Sequence, residues 1–307
     1  MWKKANPNLG VTVRVEALRD QVKEIENYPQ KLTPFLRYHL NSWNTIGASH
    51  TLPIDKINAC GVGPFDDRLR PLKLREWFLE QAKTWYCTGG FDLGIVNDMT
   101  AFVALYHDVR APGMPADQPP YWVAVPYFWI PEKTVAEKTK RWNVPLDVWV
   151  RDGWVKTTPG DYVEIKAIKA DLKKILTTTG KFWDLGFDSW NAQTLMSELH
   201  DEKACKCTRV PQQESYITQP AQELIRAVVH GRLVHLKNPV LTWHLGNVLL
   251  NENDRGGIIA KKMNDNEKID AVQALLNAIQ RFLNPDANDK YRLTCPYNDP
   301  NYKMPVF

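Results

Sequence analysis

The sequence predicts an α/β fold: a mixed sheet, built from a three-strand antiparallel meander plus added parallel strands, flanked by helices and preceded by a helical N-terminal segment. Three observations predict it. Aromatic and β-branched runs follow one another between residues 85 and 131, which is strand composition. From residue 165 onward helical and strand-like stretches alternate, the pattern that adds parallel strands to a sheet. Before residue 85, charges fall between apolar positions at helical spacing.

In order along the chain, VEALRDQVKEIENYP and QKLTPFLRYHLNSWNT read as helices punctuated by Pro29 and Pro34. ASHTLPIDKINACGVGPFDD reads as loop, and RPLKLREWFLEQAKT as a short helix closing an N-terminal segment and linker, residues 1–84. The strands WYCTGGFDLGI, MTAFVALYHD and YWVAVPYFWIP follow. VND (96–98) suits a tight turn between the first two, and the proline-rich 110–120 a longer loop before the third. EKTVAEKTKRW is a polar helix, and PLDVWVRDGWVKTTPGDYVEI a loop with short strands. IKAIKADLKKILTTT is an amphipathic helix with Gly180 as its C-cap. KFWDLGFDSW is a buried strand, and NAQTLMSELHDEK a helix capped by Ser189. CTRVPQ is a strand, PAQELIRAVVHGR a helix, VHL a very short strand, VLTWHLGNVLLNEN a helix and GGIIAKKM a hairpin or loop. EKIDAVQALLNAIQRFL is the last strong helix, stopped by Asn284–Pro285. This places one main domain at 85–286 and a polar tail at 287–307.

Composition excludes some classes. Twelve tryptophans and 21 prolines argue for loops and aromatic anchors rather than a helical bundle. No apolar run reaches the ~20 residues needed to span a bilayer, so no membrane association is expected. MWKKANPNLG lacks the apolar core of a secretion signal, so the protein is expected to stay inside the cell. Five cysteines (Cys60, Cys87, Cys205, Cys207, Cys295) make an odd count without framework spacing and read as reduced thiols. Cys205 and Cys207, near His200, lack the second cysteine pair of a usual zinc site, which favours a structural or incidental role. The net charge of +4 permits a polyanionic partner without establishing one. The basic clusters Lys138–Lys140–Arg141, Lys173–Lys174, Lys203–Lys206–Arg209 and Lys261–Lys262 each also suit a solvated face.

The chemistry lies in three aspartates set in apolar sequence: Asp92 in GGFDLG, Asp188 in LGFDSWNA and Asp270 in EKIDAVQALLNAI. A carboxylate beside a core is costly unless it is paired or binds a metal. If the first strand lies beside the strand of Asp188, both side chains share one sheet end, and the late helix brings Asp270 across the face. That is the ribonuclease-H-like arrangement, and three such carboxylates suit divalent-metal phosphodiester cleavage. Each also has a plain reading: Asp92 as a strand-end residue, Asp188 as an N-cap, Asp270 as a complement to a helix N-terminus. Asp98 and Asp265 are accessory candidates that also suit a turn and a cap, and Asn191 and Lys268 lie close enough to orient water or phosphate. His230, His235 and His244 sit in apolar context and read as core or surface.

The ordered set WKKANPNLG, GGFDLGIVNDMTAFVAL, PYFWIP, VWVRDGWVKTTPGDYVE, LGFDSWNAQTLMSEL, LTWHLGNVLLN and KKMNDNEKIDAVQALLNAI resembles the C-terminal nuclease half of the large terminase subunit of tailed phages, the DNA-packaging motor. The resemblance covers nearly all of residues 1–284. It implies an endonuclease cutting concatemeric double-stranded viral DNA with low sequence specificity, in the host cytoplasm. It implies Asp92, Asp188 and Asp270 as ligands of two Mg²⁺ or Mn²⁺ ions ~3.5–4 Å apart. Implied partners are the terminase ATPase region, the small terminase subunit and the portal protein. No phosphate-cradling G-x-x-x-x-G-K-[ST] loop is found, so no ATPase activity is expected from this chain alone. The chain is accordingly expected to begin after the ATPase core, as an excised or a naturally separate piece. The competing readings are a non-catalytic DNA-binding and docking module of the motor, and a resolvase- or transposase-like strand-transfer enzyme.

Overall fold

The computed structural model describes residues 2–27, 35, 39–40, 49–65, 67–94, 98–110, 113–188, 192–253, 256–262, 264 and 266–285. Most of the second N-terminal helix, the turn at 95–97, Ser189, Trp190, Asn191, Asp265 and the tail lie outside these residues. The elements run α1 (Trp2–Ala5), α2 (Val15–Asn27), β1 (Ser49–Thr51), α3 (Ile54–Ala59), α4 (Pro71–Ala82), β2 (Tyr86–Asp92), β3 (Thr100–Val109) and β4 (Tyr121–Pro131). After a 3₁₀ turn come α5 (Val135–Trp142), α6 (Leu146–Arg151), β5 (Lys156–Thr158), α7 (Ile165–Thr178), β6 (Lys181–Phe187), α8 (Gln193–Asp201) and β7 (Cys207–Arg209). The chain continues through α9 (Glu214–Val229), β8 (Leu233–Val234), α10 (Pro239–Asn247), β9 (Val248–Glu252), β10 (Ile258–Lys262) and α11 (Asp270–Leu283).

The main sheet has the order β5-β4-β3-β2-β6-β7, with β8 also on β4. β2, β3 and β4 form the antiparallel meander, and β5, β6, β7 and β8 join in parallel. This is the predicted ribonuclease-H-like mixed sheet flanked by helices. β3 is buried along its whole length. Its alternation splits two cores: Ala101, Val103 and Leu105 face α9, α10 and α11, while Phe102, Ala104 and Tyr106 face α4, α7 and α8.

Several elements correct the sequence reading. The segment 48–67 is not all loop: β1 pairs with β9, and α3 buries Ile57. Three strand residues carry no alternation of their own, so β1 exists only through its partner. In 145–165, Leu146 and Trp149 anchor a helix, α6, too short to show a period. α9 begins at Glu214 and carries Pro220 inside it; one lost main-chain hydrogen bond is offset by buried Ile217, Ala221 and Leu224. The stretch 240–253 is half helix and half strand. Its period changes at Asn247, where the chain turns extended, and β9 pairs with β1 and β10. Gly180 is not a left-handed cap; a Cβ there would meet Cys87 Sγ at 2.9 Å and Tyr106 at 3.0 Å. α8 starts at Gln193 after an Ala192 N-cap that makes no side-chain cap bond, and Ser189 lies outside the described residues.

What positions the site is the seat of α11. β2 and β6 run parallel, with Gly90 opposite Gly186 and Phe91 opposite Phe187. A Cβ on Gly90 would lie 1.7 Å from the Ala274 carbonyl oxygen, and one on Gly186 2.6 Å from that of Asn277. Helix backbone therefore rests on strand backbone at both glycines. Thr88 Oγ1 donates to Ala278 O at 3.0 Å and Asn277 Nδ2 to Phe91 O at 3.2 Å, so the close approach is also hydrogen-bonded.

Gly90→Ala is expected to cost ~3 kcal/mol or more of stability, because backbone cannot yield as a side chain can. Gly246→Ala in α10, whose Cβ would approach nothing nearer than 4.0 Å, is expected to be neutral or to stabilise by up to ~1 kcal/mol. Urea denaturation of the two variants checks the contrast, and an unimpaired Gly90→Ala would contradict the packing.

Candidate active site

Period-two alternation along the two glycine-bearing strands builds the site. Thr88 and Gly90 of β2 face α11, so Asp92, two residues on, faces it as well. Asp184 and Gly186 of β6 face α11, and Asp188 continues that row just past the strand's end. The tripeptide Gly-Phe-Asp thus occurs twice, at 90–92 and 186–188, in register on neighbouring parallel strands. Asp92 and Asp188 share one sheet end. Asp270 is the first residue of α11, at the end of the helix that lies over them. Its Oδ2 accepts a hydrogen bond from Met99 N at 3.4 Å, which ties it to the start of β3 opposite Asp92.

Charge confirms the crowding. Burial pushes the Asp92 carboxyl well above the usual range, and the charges of Asp270, Asp188 and Asp98 push it further. Burial first, then Asp98, pushes Asp270 up to about 7 against the pull of Lys262 and Lys268. Burial also raises Asp188, with Arg209 opposing. Arg209 sits on β7, paired with Phe187, the neighbour of Asp188. Asp98 differs. Burial works to raise it, but hydrogen bonds from Lys262 and Lys268, both 2.8 Å to Oδ1, hold it below the usual range. Lys268 is buried and packs over the Trp142 ring at 5.3 Å, as does Lys138.

The donor set suits hard cations: carboxylate oxygens, no thiolate, and two acids raised by burial and by their acidic neighbours. It is not a closed cage. Among the described residues, no three His, Cys, Asp or Glu side chains stand together so as to hold a metal ion. Mg²⁺ usually keeps several waters and takes few protein ligands, with phosphate completing its shell, so an open carboxylate set is compatible with it. The accessory candidates divide: Asp98 belongs to the cluster but is held by two lysines, and Asp265 lies outside the described residues.

Other candidates are structural. Asp184 is buried in the same row but pairs with Arg281 at 2.9 Å and accepts from Thr208 at 2.9 Å. His235 Nε2 lies 2.9 Å from Ile57 O. His200 Nδ1 accepts from the Cys207 main-chain N–H at 3.3 Å while Cys205 is buried, so this C-x-C serves the packing of β7. The sequence reading passed over Lys262, Lys138 and Arg209 as members of generic basic clusters. The repeated Gly-Phe-Asp was the signal that two strands share a register.

Residues 78–286 match the family described as terminase large subunit, endonuclease domain. The chain belongs to that family. It is 27% identical over 282 residues to the terminase large subunit of Enterobacteria phage HK97, covering 91% of this chain and 50% of that protein. It is 28% identical over 289 residues to Protein YmfN of Escherichia coli strain K12, covering 92% of this chain and 59% of that one. The crystal structure of the HK97 bacteriophage large terminase superimposes with a TM-score of 0.60 at 25% identity, over 91% of this chain and 53% of that chain. The chain therefore spans little more than half the length of the relatives it matches. No helix among the described residues of this terminase nuclease domain is long and apolar enough to cross a membrane.

A raised carboxyl pKa means the fold binds protons more tightly than the unfolded chain, so its stability is lost as pH rises through the raised value. Asp98, held low, has the opposite sign and weakens the fold only in acid. With metal removed by EDTA, the Asp270 contribution to the melting temperature is expected to be lost progressively from about pH 4 to about pH 7. Asp270→Asn should flatten that fall and raise the pH 8 melting temperature by roughly 3 °C. Because buried His244 and His235 push stability the other way below about pH 6.5, the difference between wild type and Asp270→Asn is the measure, and a difference that does not change with pH would show that Asp270 is not strained.

Proposed function

We propose that this terminase domain is a metal-dependent endodeoxyribonuclease that cuts concatemeric double-stranded DNA with little base preference. The observation that carries the reading is the paired Gly-Phe-Asp register with α11 laid over it, which brings Asp92 and Asp188 to one sheet end and sets Asp270 over them. Asp92, Asp188 and Asp270 would hold two divalent cations, Mg²⁺ or Mn²⁺. Bound there, the ions would supply Lewis acidity and a water activated for in-line attack at phosphorus. The protein's own part is positional. Asp92 and Asp270 come from elements packed backbone on backbone, and burial together with the neighbouring acids raises both carboxyls against the pull of Lys262 and, at Asp270, Lys268. Lys262 and Lys268 keep Asp98 ionised and bonded to themselves. Arg209 flanks Asp188 on the outer strand, where an approaching phosphate would meet it.

Contacts to phosphates rather than bases would make binding steeply salt-dependent. We assign the nuclease to residues 85–286, a helical segment and linker resembling the end of the terminase ATPase region to 1–84, and a tail to 287–307. The ATPase region, small terminase subunit and portal protein are the proposed partners, and the host cytoplasm the place of action.

Supercoiled-plasmid cleavage tests the reading. Nicking is expected with Mn²⁺ or Mg²⁺ and none with EDTA. Asp188→Ala, Asp92→Asn and Asp270→Asn are each expected to lower the rate by at least ~10²-fold. A folded protein that nicks with neither metal, or equally well without these carboxylates, would favour a docking module instead. A joined product would point to strand transfer.

A further inference from the structure

We propose that α10 is a clamp for Asp270, with His244 and Asn247 as positioning residues. The proposal rests on the nuclease reading and assigns these two side chains a place in it. α11 has no cap of its own: Ile269 at the N-cap makes no side-chain bond. The first turn is buried, with Asp270, Ala271 and Val272 at 4%, 0% and 0% exposure, so water cannot satisfy its free N–H groups. Val272 N and Gln273 N find Ile269 O. The Ala271 N–H, directly after Asp270, finds His244 Nδ1 at 3.0 Å. On the other side, Asn247 Nδ2 donates to Lys268 O at 3.2 Å. Two side chains one helical turn apart thus grip the main chain before and after the carboxylate.

A packing role alone does not account for His244. It is fully buried against Phe128 and Trp243, surroundings that suit Leu or Phe. With Nδ1 accepting, the ring proton lies on Nε2, which has no partner among the described residues. The fold keeps a buried imidazole with one unpartnered nitrogen, and the other nitrogen is spent on the residue next to Asp270. Asn247 is likewise buried, and its amide serves Lys268, whose ammonium holds Asp98. The clamp therefore fixes the main chain of both Asp270 and the lysine that neutralises its neighbour.

The test compares His244→Phe, which keeps a ring and loses the acceptor, with His244→Asn, whose Oδ1 restores an acceptor at the position of Nδ1. Four readouts are taken on the full chain: the melting temperature, hydrogen exchange of the Ala271 amide without metal, Mn²⁺ affinity by calorimetry, and kcat and KM for plasmid nicking. His244→Phe is expected to speed Ala271 exchange more than ~10-fold while β3 amides hold. It should also weaken Mn²⁺ binding by ~10–100-fold and lower kcat with KM unchanged. His244→Asn should recover most of each. Asn247→Leu should reproduce the Mn²⁺ and kcat losses, and it carries the test if His244→Phe does not fold. Wild-type Ala271 exchange, or wild-type Mn²⁺ affinity and kcat, in His244→Phe would overturn the clamp. Equal losses in the Phe and Asn variants, tracking melting temperature, would overturn it too. A wild-type protein that binds no Mn²⁺ and does not nick would fail the nuclease reading instead, and the Ala271 amide would still report on the clamp.

Discussion

Everything at the carboxylate end depends on one contact: the backbone of α11 resting on the backbone of two neighbouring strands. Gly90 and Gly186 stand side by side, and neither has room for a methyl group beneath the helix. An ordinary helix-on-sheet interface is separated by a layer of side chains that can repack. Here that layer is missing at the centre. The helix position is set by peptide groups, through Thr88 to Ala278 and Asn277 to Phe91, and peptide groups do not change rotamer. Asp270 inherits that rigidity because it is the first residue of the helix.

The second constraint is electrostatic. Four acids gather near one end of the sheet, and the protein supplies cations unevenly. Asp98 has two lysines at 2.8 Å, and Asp188 has Arg209 nearby. Asp92 and Asp270 feel Lys262, and Asp270 also Lys268, but among the described residues neither carboxyl has a lysine bonded to it, and burial and the neighbouring acids raise both. Compare Asp184, a few residues back on the same row: burial raises its carboxyl too, but it is paired with Arg281 and Lys206 and accepts from Thr208. The same residue type in the same strand is structural where its partners are complete and a functional candidate where they are not.

Much of this was legible in the chain. The meander showed through its aromatic and β-branched runs, and α11 through its length and strong apolar character. The strand-end positions of Asp92 and Asp188 followed from where those runs stopped. The failures share a cause. β1 and β9 take their structure from their partners, so no local pattern announces them, while GGIIAKKM, read as a hairpin or loop, supplies β10, the second strand of a hairpin with β9. α6 is one and a half turns long, below the length at which a period can be read. The role of His244 was hidden because an apolar neighbourhood looks the same whether a ring merely fills space or also accepts a hydrogen bond. The grip of Lys262 and Lys268 on Asp98 joins residues more than 160 positions apart, which spacing cannot reveal.

The small sheet has a mechanical meaning. β1, from the N-terminal segment, pairs with β9; β9 pairs with β10; and β10 ends at Lys262, whose ammonium reaches Asp98. The segment ahead of the main sheet is thus joined to the acidic end by two ladders whose buried residues, Val248, Leu250, Ile258 and Ala260, belong to the same core as α9, α10 and α11. Strands loaded along their axes resist by shearing many bonds together rather than peeling them one at a time. The N-terminal segment therefore meets the acids by two routes, through Lys262 at the end of β10 and through the core that β9 and β10 share with α11.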